Sequence, residues 1–317
     1  MGWLRRIGAI AALVAILGFV AMQVSPWPAA LVYRFVMNRG GEGLNAALER
    51  HVPPGVLAVL DEPYEAGVAL DVFFPGAGTF PTIVWIHGGG FLAGDKSHVR
   101  NYLRILAANG YTTVALGYSI GPAAHYPTPL RQANAALAHL VRNSERLHVD
   151  PARIYLAGDS AGAHLAAQLA NAISVPAYAK TVGIAPSIER SQLRGVILHC
   201  GIYDFALPSP GGLYDHFMRT VMWSYSGKRN PQPLPELSVA RQVTAAFPPA
   251  FISAGNGDAL LPHSHALADA LARAGVKVDT LFFPGHEPEL PHEYQFNLDS
   301  AAGRLALERT LRFLRPN

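Results

Sequence analysis

The stretch that most limits what this chain can fold into is Gly158-Asp159-Ser160-Ala161-Gly162. It stands between an apolar run, Arg153 to Ala157 (RIYLA), and a small-residue helical pattern from Ala161 to Ile173 (AGAHLAAQLANAI). A strand that becomes a helix within five residues needs small side chains at the turn, and a serine at the apex is pushed out above the sheet. The alternative, Ser160 as an ordinary helix cap, explains the serine. It does not explain a glycine on each side of it between a strand and a helix.

The rest of the chain fits around that element. The 317 residues suit one large domain better than several small ones. With 50% hydrophobic and 15% charged residues, the chain can fill a core and is not disordered. The 30 Gly and 25 Pro follow no period, which excludes collagen-like sequence. Short runs rich in Val, Ile and aromatics alternate with longer helical patterns, predicting an α/β fold with a mostly parallel eight-stranded sheet covered on both faces. The predicted strands are 56–60, 68–73, 82–86, 112–116, 153–157, 195–199, 250–254 and 276–282, and the predicted helices are 98–108, 129–147, 161–173, 262–274 and 298–314. In 129–147 the residues Leu130, Ala133, Leu137, Leu140 and Val141 share one helical face.

Three segments stand apart from this alternation. Residues 26–55 read as one or two short amphipathic helices and a connection, and the catalytic domain proper is expected over 56–317. Within it, residues 205–248 form a Pro-rich insertion with a helical centre from Tyr214 to Tyr225, placed as a lid or pocket wall. Residues 1–25 contain 18 uncharged positions from Ile7 to Val24, preceded by Arg5 and Arg6. About 20 apolar residues cross a bilayer and basic residues stay in the cytoplasm, so an uncleaved membrane anchor is expected, with the rest of the chain outside the cytoplasm. A cleaved signal peptide, giving a secreted or periplasmic protein, is the rival, and a buried helix the third reading; the run leads into Ala21-Met22-Gln23-Val24-Ser25-Pro26, without a small-x-small exit.

Charge and cysteine content add exclusions. The 25 basic and 22 acidic residues leave a net charge of +3 with no basic stripe, so nucleic acid is not an expected partner. The single Cys200 cannot form an intramolecular disulfide and reads as a buried, inert thiol.

A serine hydroxyl becomes a useful nucleophile only with a base, itself oriented by a carboxylate, and with donors for the oxyanion that forms. His87-Gly88-Gly89-Gly90-Phe91 directly follows a predicted strand, and glycines let backbone N–H groups approach a carbonyl oxygen closely. Gly89 and Gly90 are the first choices as donors, with Gly88 and the N–H of Ala161 beside them. In the order serine, acid, histidine, Asp258 in Gly255-Asn256-Gly257-Asp258 is the preferred acid over Asp204, Asp215 and Glu236. Two histidines follow the last predicted strand. His292 is preferred over His286 because its extra length of loop lets it reach back over the elbow. His263 and His265 read as exposed helix residues, and His164 and His199 as packing or hydrogen-bonding residues. A zinc helix motif needs histidines four apart; His286 and His292 are six apart with two prolines between, so no metal ligand is assigned.

Together, His87-Gly88-Gly89-Gly90-Phe91, Gly158-Asp159-Ser160-Ala161-Gly162 and the downstream Asp258 and His292 resemble the hormone-sensitive-lipase branch of the α/β-hydrolase esterases, from about residue 65 to the end. The resemblance implies a serine carboxylesterase or lipase acting on short- to medium-chain acyl esters without metal or organic cofactor. It implies Ser160 as nucleophile, Asp258 as acid, His292 as base, and the glycine stretch with Ala161 as oxyanion hole. Ala163-His164 stands where that branch usually has Gly-Asn, and Gly117-Tyr118-Ser119-Ile120-Gly121-Pro122 where it has Tyr-Arg-Leu-Ala-Pro-Glu. Tyr126-Pro127-Thr128-Pro129 and the GAHLA continuation are similar to bacterial feruloyl-esterase-like and kynurenine-formamidase-like relatives. An amidase or formamidase using the same residues, and a non-catalytic binding protein on this fold, are the alternatives.

Overall fold

The computed structural model describes residues 2–231 and 234–315, with side chains at 2, 4, 5, 11–16 and 19 left out of the description. Eight strands form one sheet: β1 (Leu57–Glu65), β2 (Val68–Phe74), β3 (Phe80–Ile86), β4 (Thr112–Leu116), β5 (Val149–Asp159), β6 (Leu193–His199), β7 (Ala250–Ser253) and β8 (Val278–Leu281). Their order is β1-β2-β4-β3-β5-β6-β7-β8. The β1–β2 and β2–β4 pairs are antiparallel and every pair from β4 to β8 is parallel.

Parallel strands connected by helices are covered on both faces, which is why the central runs are apolar at successive positions rather than alternately. In β3, Val84 and Ile86 join one core while Ile83 and Trp85 join the other. The first core lies under α4 (Thr128–Arg142), α5 (Ser160–Ser174), α6 (Pro176–Val182) and α8 (Leu261–Arg273); the second lies under α3 (Arg100–Ala107) and α9 (Ala301–Leu314). The short α6 was not anticipated. Other differences lie at element ends and have local causes. The 129–147 pattern stops at Arg142 because the chain turns, with Leu147 N bonding Asn143 O at 2.9 Å and Val149 N bonding Ser144 O at 2.8 Å. The last helix begins at Ala301 because Ser300 caps it, its Oγ accepting from Gly303 N at 2.9 Å.

Two helices lie outside this layered frame and shape the site. Residues 27–48 form a single helix, α2 (Trp27–Leu48), running unbroken through Gly40, Gly41 and Gly43. Each interior glycine costs a helix about 1 kcal/mol, and tertiary bonds offset that cost. Arg34 donates to Leu92 O and Gly121 O, both at 2.8 Å, Asn38 Oδ1 accepts from Gly94 N at 2.9 Å, and Asn45 bonds Asn101. The second, α7 (Gly212–Ser226), is the helical centre of the 205–248 insertion. Tyr33 of α2 meets Phe217 of α7 edge to face at 5.0 Å.

Before them, Gly2–Val24 forms α1. Among the described residues no helix is long and apolar enough to cross a membrane. Much of the apolar run on which the anchor expectation rests lies outside the described side chains.

Candidate active site

The site is assembled at the C-terminal ends of the parallel strands. At the junction of β5 and α5, Ser160 has φ +53°, a left-handed conformation that costs a side-chain-bearing residue on the order of 1–2 kcal/mol. The turn is closed by tight packing: a side chain on Gly162 would run into the Ile86 carbonyl oxygen at the end of β3. The motif glycine is therefore set by the approach of the neighbouring strand, and Ser160 is held at the floor of a cleft.

The glycine stretch leaves β3 beside this turn. Gly88 N donates to Asp159 Oδ2 at 2.8 Å, so Gly88 is not free to serve as an oxyanion donor, and the expectation placed on it is corrected. The N–H groups of Gly89, Gly90 and Ala161 donate to no protein acceptor among the described residues. Ala161 lies in the first turn of α5, where unpaired amides and the helix dipole favour negative charge. His87 is buried with Nδ1 bonded to Gly88 O at 2.7 Å and its ring stacked on Tyr118; burial pushes its pKa down to about 4, so the imidazole is neutral.

Asp258 follows β7 and His292 lies in the loop after β8, and the two meet: His292 Nδ1 lies 2.9 Å from Asp258 Oδ2. The other oxygen of Asp258 accepts from Leu260 N at 2.8 Å, which fixes the carboxylate. Partial burial disfavours the His292 imidazolium, the bond to the Asp258 carboxylate favours it, and the balance lies above the ordinary histidine range. His286 is half-buried and bonds Pro288 O at 2.8 Å. Asp204 is paired with Arg241 and Asp215 is bonded to Ser209, so both competing acids are engaged elsewhere; Glu236 presents its backbone carbonyl to Tyr178.

Ser160 and His292 line the same two cavities. Among the described residues no hydrogen bond joins their side chains; in unliganded sites this bond is often long and tightens with substrate. One cavity, of about 350 Å³, is apolar, walled by Met37 of α2, by Phe217, Met218 and Val221 of α7, and by Ile202 and Leu260. The other, of about 240 Å³, lies toward His98 and Glu293. A third, of about 500 Å³, shares Ile202, Tyr214 and Met218 with the first.

Several side chains differ from what the sequence suggested. Cys200 is buried as expected, but it stands beside the base: its sulfur, the Asp258 carboxylate and the His292 ring offer atoms within 4.8 Å of one another. Burial raises the thiol pKa, and His292 Nδ1 is already bonded to Asp258, so the cluster is a hydrogen-bonded set rather than a ready metal cage. The adjacency of β6 and β7 creates it, and no local motif announces that. His263, expected on an exposed helix face, is buried, with Nδ1 near Asp204 N at 3.4 Å. The packing roles expected of His164 and His199 hold: both are fully buried, and burial lowers their pKa to about 4 and about 3. Glu293, Arg34 and Met37 carry no mark in the sequence, because each reaches the site from an element whose approach is decided only by packing; Asp159 stands in the elbow motif itself, but nothing local marks its bonds to Trp85 and Gly88.

A serine on a strand-to-helix elbow, a downstream aspartate–histidine pair and a glycine loop after an inner strand of a mostly parallel sheet define the class of α/β hydrolases. The chain belongs to the alpha/beta hydrolase fold family, whose model matches residues 83–294. Solved structures of the same architecture include esterase B from Lactobacillus rhamnosis, with a TM-score of 0.74 and 24% identity over 90% of this chain and 95% of that one. The Pyrobaculum calidifontis esterase has a TM-score of 0.72 and 21% identity over 90% and 92% of the two chains. Esterase LipW from Mycobacterium marinum has a TM-score of 0.71 and 23% identity over 90% of each.

Proposed function

We propose that the protein is a serine carboxylesterase that hydrolyses short- to medium-chain acyl esters. The observation that carries this reading is the 2.9 Å contact of His292 with Asp258 at the wall of an apolar cavity that also holds Ser160 and Ala161. In the reading, His292 Nε2 takes the Ser160 proton as Oγ attacks the ester carbonyl, and Asp258 stabilises the imidazolium. The N–H groups of Gly89, Gly90 and Ala161 hold the oxyanion. His292 then protonates the leaving alcohol, and water attacks the acyl-enzyme with His292 again as base. A cavity of about 350 Å³ suits an acyl chain of a few carbons rather than a long one. Esterase B of Lactobacillus rhamnosis is described with a tributyrin phosphonate inhibitor, which supports the choice of ester class.

The test is covalent labelling with a fluorophosphonate, followed by peptide mass analysis and ester assays. Labelling at Ser160, lost together with hydrolysis in Ser160→Ala, is the expected result; hydrolysis at the wild-type rate in that variant would refute the reading. Matched butyrate ester and butyranilide substrates decide between esterase and amidase chemistry, with the ester expected to turn over faster. We also place the catalytic domain outside the cytoplasm on an N-terminal tether, a reading that rests on the uncharged run 7–24 after Arg5 and Arg6. Retention in the membrane fraction after carbonate extraction is expected, and a mature chain beginning near residue 25 would overturn it.

A further inference from the structure

Two carboxyl groups that play no part in that mechanism are carried by the residues next to its reacting groups. Asp159 precedes Ser160 and Glu293 follows His292. Asp159 is buried, and each of its oxygens holds one donor: Oδ1 accepts from Trp85 Nε1 at 2.7 Å and Oδ2 from Gly88 N at 2.8 Å. Glu293 has φ +59°, a left-handed turn that aims its side chain back into the site. Its side chain turns toward Asp159, and its Oε1 lies 3.9 Å from His292 Nε2. Both carboxyls converge on Gly88, where an added Cβ would run into Asp159 Oδ2 and lie 3.1 Å from Glu293 Oε1.

Two carboxylates drawn to one point repel, and neither can donate to the other; they attract only when a proton lies between them. We propose that Asp159 and Glu293 share one proton and that this acid pair is the positioning device that ties the elbow, the glycine loop and the His292 loop together for turnover. The inference rests on the reading of Ser160 and His292 as the reacting residues. Burial and the neighbouring Glu293 raise the Asp159 pKa well above the carboxylate range, in the direction that retains the shared proton. The titratable groups facing the pair are His292 and His98 beside Glu293, Cys200 behind His292, and Tyr118 and Tyr203 toward Asp159.

With the shared proton in place the pair carries one negative charge in all. Loss of that proton puts two charges in contact, and Glu293, whose side chain is 25% exposed, is the partner able to leave for solvent. Its departure loosens the turn that carries His292 and removes one of the two carboxyls gathered at Gly88. Turnover therefore has a reversible alkaline limb that belongs to the pair and not to either residue alone.

The test follows kcat and KM for tributyrin hydrolysis against pH in a pH-stat, with near-UV circular dichroism at each pH to confirm the fold. Glu293→Gln keeps an N–H donor toward the Asp159 carboxylate but has no proton to lose. It is expected to retain kcat to within roughly fivefold at neutral pH and to move the alkaline limb up by at least about one unit. Glu293→Ala removes the tie and is expected to lower kcat roughly tenfold or more with KM little changed. In the infrared difference spectrum, the carbonyl band of a protonated carboxylic acid is expected in the wild type and absent from Glu293→Gln. The proposal is overturned if Glu293→Gln keeps the wild-type limb, or if it loses as much kcat as Glu293→Ala. A wild type that hydrolyses esters and labels at Ser160, yet shows either result, refutes the pair alone; failure to label Ser160 refutes the underlying reading.

Discussion

The strand-end frame of the site and the helical cover above it are built on different physics. In the frame, Ser160, Gly162, Gly88 and Asp258 are held by backbone geometry: a left-handed serine, a glycine pressed on the Ile86 carbonyl, and backbone N–H groups that donate hydrogen bonds to the carboxyls of Asp159 and Asp258. The cover, α2 and α7, contributes side-chain surface, with Met37, Phe217, Met218 and Val221 walling the apolar cavity. The frame tolerates almost no change of residue, whereas the cover needs only apolar volume of suitable shape. On the proposed reading, chemistry belongs to the frame and selectivity to the cover.

The sharpest way to break that division is at Asp258. Asp258→Asn removes the carboxylate that orients His292 and is expected to lower kcat for p-nitrophenyl butyrate by about 10⁴-fold, while His286→Ala changes it less than about twofold. A comparable loss in His286→Ala would move the base. Gly162→Ala drives a Cβ into the Ile86 carbonyl and is expected to cost about 3 kcal/mol or more of stability, seen as a large fall in Tm or loss of soluble protein.

The cover should respond more mildly. Arg34→Ala removes the donors to Leu92 O and Gly121 O, and a loss of about 2 kcal/mol is expected in denaturant melts. Met218 lies on the wall between the cavities of about 350 and 500 Å³, so Met218→Ala is expected to open one into the other. The ratio of kcat/KM for octanoate over butyrate esters should rise by about tenfold, with the butyrate kcat nearly unchanged. If instead kcat collapses, the cover takes part in chemistry and the division fails.

The smallest effect concerns acid. Burial depresses the pKa of His87, His164 and His199, which lowers their affinity for protons in the folded state only. The stability tied to these neutral rings is complete above the unfolded value near 6.5 and is lost as pH falls toward about 4 and about 3. Thermal melts should show Tm dropping by several degrees between about pH 6.5 and pH 4.5, before most carboxylates titrate. His164→Asn should shallow that slope.

Much of this site was legible in the linear chain because local backbone demands leave local residues. Gly158-Asp159-Ser160-Ala161-Gly162 and the glycines after Ile86 each encode a turn, and the order serine, aspartate, histidine encodes the succession of strand ends. The eight strands followed from apolar runs, with errors confined to their ends, as at β1, where a register shift between Val59 and Glu62 lets pairing with β2 continue to Glu65. Legibility failed where two distant segments meet. Residues 27–48 carry three glycines that argue locally against a long helix, and only bonds from Arg34, Asn38 and Asn45 to the body reveal why the helix persists.

The sequence by itself determined the layered α/β architecture and brought Ser160, Asp258 and His292 forward as candidates. Hydrophobic period and turn chemistry are short-range properties, and each is written within a few residues. Only the tertiary structure decided that Gly88 is spent on Asp159, that Cys200 stands against His292, and that Glu293 and Asp159 converge on Gly88. Those contacts span tens to more than a hundred residues of chain, and they arise from the order of strands in the sheet and from where the loop after β8 comes to lie. A carboxyl or a thiol carries no local mark of the partner that packing will place beside it.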